Sequence, residues 1–127
     1  MNYKGGNSRK EFESFLKRVY GMVSTYSLSR YLPNRKLKDI KPGDVFVYPA
    51  RNNAKYGHAV IVVDVALNTA TGERAFLLAE GNTPARSIHI LRNFAHPFSA
   101  PWFIVNGNES SLRLGPFLYY QNEIRHF

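Results

Sequence analysis

The chain of 127 residues contains no cysteine. That absence excludes disulfides, thiolate metal ligands and a cysteine nucleophile within this sequence. Long apolar runs are also missing, since none approaches the roughly 20 residues that a membrane-spanning helix needs. The first residues, MNYKGGNSRKEF, lack the apolar segment of a secretory signal. We therefore expect neither a membrane span nor a signal peptide in this chain, and no compartment is predicted.

Acidic residues are scarce. Nine Asp and Glu stand against 17 Lys and Arg, which gives a formal net charge of +8. Residues 1–55 hold 12 of the basic and four of the acidic residues, whereas residues 56–127 hold five of each. The whole excess thus lies in residues 1–55. Two interpretations remain open: a solvated basic face, or a binding site for an anionic polymer such as nucleic acid, a wall polymer or an anionic membrane surface.

The segment SRKEFESFLKRVYGMV predicts a helix near the N-terminus. Ser8 and Glu11 have the spacing of a capping box, in which each side chain satisfies a free backbone N–H of the other. Apolar residues then recur at helical spacing and form one face. We expect this face to pack on the domain's own sheet, with a groove-binding or membrane role as the alternative. The face consists of Phe12, Phe15, Leu16, Val19, Tyr20 and Val23.

Five strand-like segments follow, each bounded by turn residues: DVFVYP, HAVIVVDVA, RAFLLAE, RSIHILR and WFIV. The second is apolar on both faces, which is typical of a central strand. The fourth places Ile88 and Ile90 on a core-facing side. The tail from residue 107 has no clean period. We predict one α+β domain over residues 1–127, with the N-terminal helix packed on a small antiparallel sheet or half-barrel of about five strands.

One histidine stands where two strands should meet. His58 follows Gly57 and begins the apolar strand, while the next strand ends at Glu80, two residues before Asn82. A hairpin returns the end of its second strand to the start of its first, so Glu80 and Asn82 are expected near His58. An acid or amide beside an imidazole fixes its orientation and tautomer. The alternative is a histidine at a strand end beside a solvated glutamate.

The sequence blocks GDVFVYP, GHAVIVVDV and LLAEGN, in that order, resemble the second half of CHAP and NlpC-type cell-wall amidases, which are papain-like cysteine peptidases. The resemblance implies a papain-like core. It also implies that His58 is the general base, that Glu80 orients it and that Asn82 is an auxiliary polar group. A peptide or peptidoglycan-derived ligand is the implied ligand class.

A closer resemblance, over roughly residues 12–105, is to the bacterial family designated domain of unknown function 4846. It rests on GDVF, GHAVIVVD, LLA, IHIL and PW, which occur here in the family's order. Family members carry an upstream cysteine at the start of a helix. This chain has none, and it also has Glu80 for the family's Gln and Tyr56 for its Pro. The resemblance therefore implies a base without its nucleophile, complete only with a cysteine-bearing upstream segment.

Four further residues are candidate ligand contacts. Arg86 has a guanidinium fork that suits a carboxylate or phosphate beside the groove. His89 alternates with two isoleucines and so faces away from them, toward the groove. Trp102 begins the last predicted strand and belongs either to the core or to a groove wall that stacks on a ligand. Tyr56 stands two residues before His58.

We predict a groove that binds a peptide or wall-derived ligand without peptidase activity, and we predict no metal and no cofactor. Binding of an anionic polymer by residues 1–55 is the first alternative function. A hydrolase with another nucleophile, such as Ser8, or with a metal is the second. No H-E-x-x-H or similar spacing joins the possible ligands, which are His58, His89, His96, Asp64 and Glu80.

Overall fold

The computed structural model describes residues 8–51, 53–82 and 86–127. Two α-helices come first, α1 (Arg9–Met22) and α2 (Thr25–Tyr31). Eight strands follow them in the described ranges: β1 (Val45–Tyr48), β2 (His58–Leu67), β3 (Arg74–Glu80), β4 (His89–Ile90), β5 (Phe103–Val105), β6 (Ser111–Leu114), β7 (Phe117–Tyr120) and β8 (Ile124–Arg125). The predicted α+β class is confirmed.

Six strands form one antiparallel sheet. Five of them are successive neighbours in the order β4-β3-β2-β1-β8, and β5 is the sixth. β5 also pairs with β3, so β4 and β5 share one edge of that strand at its two ends. β6 and β7 form a separate two-stranded sheet. The large sheet is open rather than closed into a barrel, and β2 is central in it, as its apolar sequence predicts.

A turn at Pro42–Gly43 sets the start of β1. Gly43 has a positive φ of 92°, a conformation that glycine adopts at little cost. The buried carboxylate of Asp44 accepts hydrogen bonds from the backbone N–H of Lys41 at 2.8 Å and from Nε of Arg35 at 3.0 Å. The Gly-Asp pair therefore has a structural function, because it closes the turn that directs β1 alongside β2.

The core lies between one face of the large sheet and the C-terminal segments that cover it. The ring of Phe46 in β1 lies 5.7 Å from that of Phe76 in β3 and 5.8 Å from that of Tyr119 in β7. Tyr119 and Leu114 of the β6–β7 hairpin are almost completely buried there. The hairpin therefore forms the second layer of the domain.

The expectation that α1 packs on the sheet is wrong. No residue of α1 is buried, and the side chains of Tyr20 and Met22 are 73% and 60% exposed. The face of the sheet that a helix was expected to cover is covered by the β6–β7 hairpin instead. The shorter helix α2 contacts β1. The predicted capping box of α1 is present, with Ser8 and Glu11 as its partners.

Two further expectations need correction. Ile88 and Ile90 do not face the core but are exposed, because β4 pairs with only two residues at the edge of the sheet. Leu91 is the buried residue of that segment, and its N–H donates to the carbonyl of Leu78 at 2.8 Å. The turn expected after Glu80 lies partly outside the described residues. Across the described ranges, no helix is long and apolar enough to cross a membrane.

Candidate functional site

The ends of two neighbouring strands place His58 beside Glu80. His58 is the first residue of β2 and pairs with Tyr48, while Glu80 is the last residue of β3. The Nε2 atom of His58 lies 2.6 Å from Oε2 of Glu80. The two side chains are only 13% and 10% exposed. This is a short contact between two largely buried side chains.

A second histidine flanks the same carboxylate. His89 of β4 pairs directly with Glu80, and its Nε2 lies 3.4 Å from Oε1. Its side chain is 47% exposed, and its Nδ1 lies 3.2 Å from the carbonyl oxygen of Ser87. Because β3 runs between β2 and β4, the carboxylate of Glu80 is placed between an inner imidazole and an outer one.

An aromatic ring from the C-terminal hairpin supports the inner imidazole. Phe117 of β7 stacks on His58 with ring centroids 4.7 Å apart and planes inclined by 17°. Tyr48 packs against the same phenylalanine at 4.9 Å. The sequence interpretation missed Phe117. The turn signal at Gly115, whose φ is +60°, could have indicated the hairpin but not its position over His58.

Gly57 brings α2 against the start of β2. A Cβ atom at this position would lie 2.3 Å from Oγ1 of Thr25 and 2.5 Å from the carbonyl oxygen of Tyr48. No side chain fits in that space without displacing one of them. Glycine thus allows the close packing that positions the backbone immediately before His58.

Tyr119 lies beneath the site with its hydroxyl buried. Within the described part of the chain this hydroxyl has no hydrogen-bond partner. Burial raises the pKa of Tyr119 well above its ordinary value, and the nearby carboxylates of Glu80 and Glu123 raise it further. The phenol therefore stays neutral and adds no charge beside Glu80.

An ion pair joins the loop before His58 to the C-terminal segment. Arg51 bonds to both carboxylate oxygens of Glu123 and donates to the carbonyl of Leu118 at 2.5 Å. Its guanidinium also lies 4.2 Å from the ring centre of Tyr48 and 5.0 Å from that of Tyr120. The hydrogen bond to Glu123 raises the pKa of Arg51. This pair thereby holds the hairpin that carries Phe117 against β1.

The other predicted site residues, which are the auxiliary polar group Asn82 and three of the predicted ligand contacts, do not join this group. Asn82 is half-buried, and no hydrogen bond joins it to His58 or Glu80 among the described residues. Trp102 precedes β5, which pairs with the end of β3 away from Glu80. Tyr56 is exposed and lies beside the ammonium of Lys55. Arg86 is exposed, with no ion pair to any described residue. Their roles in ligand binding stay predictions.

The structure gives the surroundings of the two alternative catalytic groups, a bound metal ion and the hydroxyl of Ser8. Over residues 8–51, 53–82 and 86–127, no three His, Cys, Asp or Glu side chains are arranged to hold a metal ion. The hydroxyl of Ser8 lies 2.6 Å from the carboxylate of Glu11 and accepts from its backbone N–H. These bonds assign Ser8 to the cap of α1.

Most of the basic residues of positions 1–55 are exposed. Arg35 and Arg51 are the exceptions, since each is paired with a buried carboxylate, and Arg9 is paired with Glu13 on the surface. Lys4 lies outside the described residues. Lysines and arginines of α1, α2 and the connector to β1 therefore carry the excess charge on the surface.

The geometry of the histidine pair determines what it can do with a proton. With Glu80 ionised, the 2.6 Å contact is a hydrogen bond in which Nε2 of His58 donates. The neutral ring then has its lone pair on Nδ1, which can accept a proton or a hydrogen bond. Stacking on Phe117 restricts rotation of the ring. The arrangement is thus a preoriented base or hydrogen-bond acceptor.

Comparisons with known proteins give one match. No curated protein and no solved structure matches the chain. The sequence model of the family described as domain of unknown function (4846) matches residues 1–126. The chain therefore belongs to the family of domain of unknown function 4846.

Proposed function

We propose that this chain is a papain-like domain related to CHAP and NlpC amidases, whose His58–Glu80 site binds a peptide or wall-derived ligand without cleaving it. The 2.6 Å contact between Nε2 of His58 and the carboxylate of Glu80 is the observation on which the proposal depends. The order of blocks from Gly-Asp through Gly-His to Leu-Leu-Ala-Glu supports the relationship, as does the antiparallel arrangement of β1, β2 and β3.

Binding would use the nitrogen that Glu80 leaves free. Nδ1 of His58 accepts a hydrogen bond from an amide N–H of the ligand, while Glu80 keeps the imidazole in that tautomer. His89 is half exposed at the outer side of the same carboxylate and can contact the ligand as well. Because these groups come from three neighbouring strands, an extended peptide along the strand ends would reach all of them.

Cleavage of the papain type is not expected from this chain by itself. That reaction needs a thiolate to attack the carbonyl and form an acyl-enzyme, and an imidazole alone does not replace it. The chain has no cysteine. In the role we propose, His58 accepts a hydrogen bond from a bound ligand through Nδ1.

The test is calorimetric titration of the full chain with a synthetic peptidoglycan stem peptide. We expect binding that weakens at least tenfold in His58→Ala, which corresponds to about 1.4 kcal/mol. His96→Ala is the matched control and should bind as the wild type does, because His96 is exposed in a different loop. Mass spectrometry of the same samples should show intact peptide.

Two outcomes would contradict the proposal. Absence of binding, or equal binding by His58→Ala, would refute the assigned ligand site. Cleavage of the peptide that disappears in His58→Ala would instead make the chain a hydrolase with a nucleophile other than cysteine.

A further inference from the structure

The edge loop, residues 92–102, lies between β4 and β5 along one edge of β3. Just before it, the N–H of Leu91 donates to the carbonyl of Leu78, and just after it Phe103 pairs with Phe76. The loop therefore leaves β3 and returns to it two residues away. Compact loops whose ends lie close together are frequently functional.

Hydrogen bonds hold the edge loop in shape. Asn93 is buried, and its side-chain amide donates to the carbonyl of Trp102 at 2.9 Å, which closes the neck of the loop. The side-chain oxygen of Asn93 accepts from the N–H of His96 at 3.2 Å. Ser99 donates both its N–H and its hydroxyl to the carbonyl of His96, each at 3.1 Å. A loop that is held in this way loses less entropy when a ligand binds to it.

A cleft of about 530 Å³ lies between the edge loop and β5. Pockets that hold small molecules have volumes of about 300–1,000 Å³. Most of the lining surface is apolar, with Phe98 from the loop and Ile104 from β5. Both side chains are exposed, so an apolar group in the cleft would remove them from water. The polar residues of the lining that bear on recognition are Glu73, His96 and Asn106.

Glu73 is the acidic residue of this lining and is half-buried. Its Oε2 accepts a hydrogen bond from the hydroxyl of Thr71 at 3.0 Å. Among the described residues no cation forms an ion pair with Glu73, and Arg74, the next residue, does not line this cleft. A carboxylate that is partly removed from water is stabilised by a cation beside it. In a chain with a net charge of +8, the cleft is therefore a local site that favours a positively charged ligand.

The lining suits an organic ammonium ion that has a large apolar part. The ammonium is attracted by the carboxylate of Glu73 and by the face of an aromatic ring such as that of Phe98. An anionic ligand would bring its charge toward Glu73, and among the described lining residues only His96 could offset it. A neutral apolar ligand would cover Phe98 and Ile104 but leave the carboxylate without a cation. An amine without a large apolar part would leave both apolar side chains in water.

We propose that this cleft binds a small organic ammonium ion, with the ammonium on Glu73 and the apolar part between Phe98 and Ile104. The site is separate from the pair formed by His58 and Glu80. Glu73 precedes β3 and Glu80 ends it, and seven residues of extended chain span about 23 Å at 3.3 Å per residue. Binding in the cleft is therefore independent of the peptide site proposed at His58.

The proposal is tested by titrating the nitrogen-15-labelled full chain with phenethylammonium and following its backbone amide signals by NMR. Phenethyl alcohol and hydrocinnamate are matched probes, since they carry the same ring on a chain that is neutral or anionic. We expect phenethylammonium to bind at least tenfold more tightly than either. Its binding should shift the signals of residues 95–99 and 104–106 and leave that of His58 unchanged.

Two pairs of variants separate the charge from the apolar wall. Glu73→Gln should weaken phenethylammonium binding at least tenfold and leave phenethyl alcohol binding unchanged, because it removes the charge and keeps the side-chain shape. Glu13→Gln, on the surface of α1, removes the same charge from the chain and should bind as the wild type does. Phe98→Ala should weaken binding of both probes at least threefold, whereas Phe127→Ala, at another exposed position, should not. Because the side chain of Phe98 is fully exposed, Phe98→Ala keeps the fold and tests the cleft even if Glu73→Gln does not fold.

Several results would overturn the proposal. Equal affinity for the three probes, or equal binding by Glu73→Gln and Glu13→Gln, would remove the role of the carboxylate. Tighter binding of hydrocinnamate than of phenethylammonium would identify an anion site. No shift of the signals of residues 95–99 and 104–106 with any probe would refute the cleft as a ligand site. A dimer that Phe98→Ala dissociates, without binding of the probes, would identify a second copy of the chain as the occupant.

Discussion

Replacing Gly57 with alanine should destabilise the domain because α2 and β1 both approach this position. The new methyl group would lie 2.3 Å from Oγ1 of Thr25 and 2.5 Å from the carbonyl oxygen of Tyr48. Contacts this short require displacement of a strand backbone, and overpacking of this kind costs roughly 1–3 kcal/mol. The smaller entropy of the unfolded alanine chain offsets about 0.4–1 kcal/mol of it. The middle of these two ranges gives an expected net loss of about 1.3 kcal/mol.

Urea denaturation measures this loss. With a slope of about 2 kcal/mol per molar, the middle of the range for small proteins, the midpoint of Gly57→Ala should fall by about 0.6 M. Gly81→Ala is the matched control, since among the described residues its methyl group would find only the carbonyl oxygen of Arg86, at 3.8 Å. Its midpoint should stay within the range of surface substitutions, about 0.5 kcal/mol.

A second substitution identifies the contact responsible. Thr25→Ala removes one of the clashing atoms and leaves the carbonyl of Tyr48 in place. Gly57→Ala should then cost about 1 kcal/mol less in the Thr25→Ala background than in the wild type, a coupling expected for residues in contact. The close packing of α2 before His58 would be refuted if Gly57→Ala were as stable as Gly81→Ala, or if the two substitutions were additive.

Two other stability predictions follow from the groups behind the site. Tyr119→Phe removes a hydroxyl that is buried without a partner among the described residues. The free energy of unfolding of this variant, measured by urea denaturation, should equal that of wild type or exceed it by up to about 1 kcal/mol. Because the pKa of Tyr119 is raised in the folded state, its contribution to stability is complete below pH about 10 and is lost as the pH rises further. The stability of Tyr119→Phe should therefore fall less than that of wild type between pH 8 and 11. Arg51→Ala leaves the carboxylate of Glu123 without its cation and should cost about 2–3 kcal/mol in urea denaturation, whereas Arg9→Ala, on the surface, should cost less than about 0.5 kcal/mol. Similar losses for the two arginines would contradict the structural role of Arg51.

The strands β1 to β3 were predictable because local signals determine them. Alternation of residue types defines β1, and the apolar run of β2 is ended by a polar turn in which the side chain of Asn68 accepts from the N–H of Ala70 at 3.0 Å. The order of these strands follows from the short connection between β2 and β3. The proximity of His58 and Glu80 follows in turn from that hairpin, since its strand ends meet.

The C-terminal strands could not be predicted in the same way. β6, β7 and β8 have two to four residues each, too few to show a period. β8 pairs with β1, so its partner lies far away in sequence, and the placement of the hairpin over the sheet depends on side chains such as Phe46 and Tyr119 filling the same core. Local sequence patterns do not predict these contacts, because the partners are far apart in the sequence. For the same reason, Phe117 could not be assigned to the site.

For helix α1, the sequence predicts the element itself but not its packing. Its capping box and apolar spacing correctly predict a helix, because both are local properties. They do not determine what the apolar face contacts, and the β6–β7 hairpin covers the face of the sheet on which α1 was expected to pack. At the site, Asn82 was expected beside His58 on the same reasoning as Glu80, but no hydrogen bond joins it to that pair among the described residues. Proximity in register does not ensure a side-chain contact.

The proposed ligand site is tested most directly by observing the ring nitrogens of His58 by nitrogen-15 NMR, with and without the stem peptide. The measurement is made at a pH where the ring is neutral, and His58→Ala assigns the signal. We expect the proton on Nε2, bonded to Glu80, and we expect the peptide to shift the Nδ1 signal of His58 while the signals of His96 stay unchanged. A proton on Nδ1, or a response to peptide at His96 and not at His58, would contradict it.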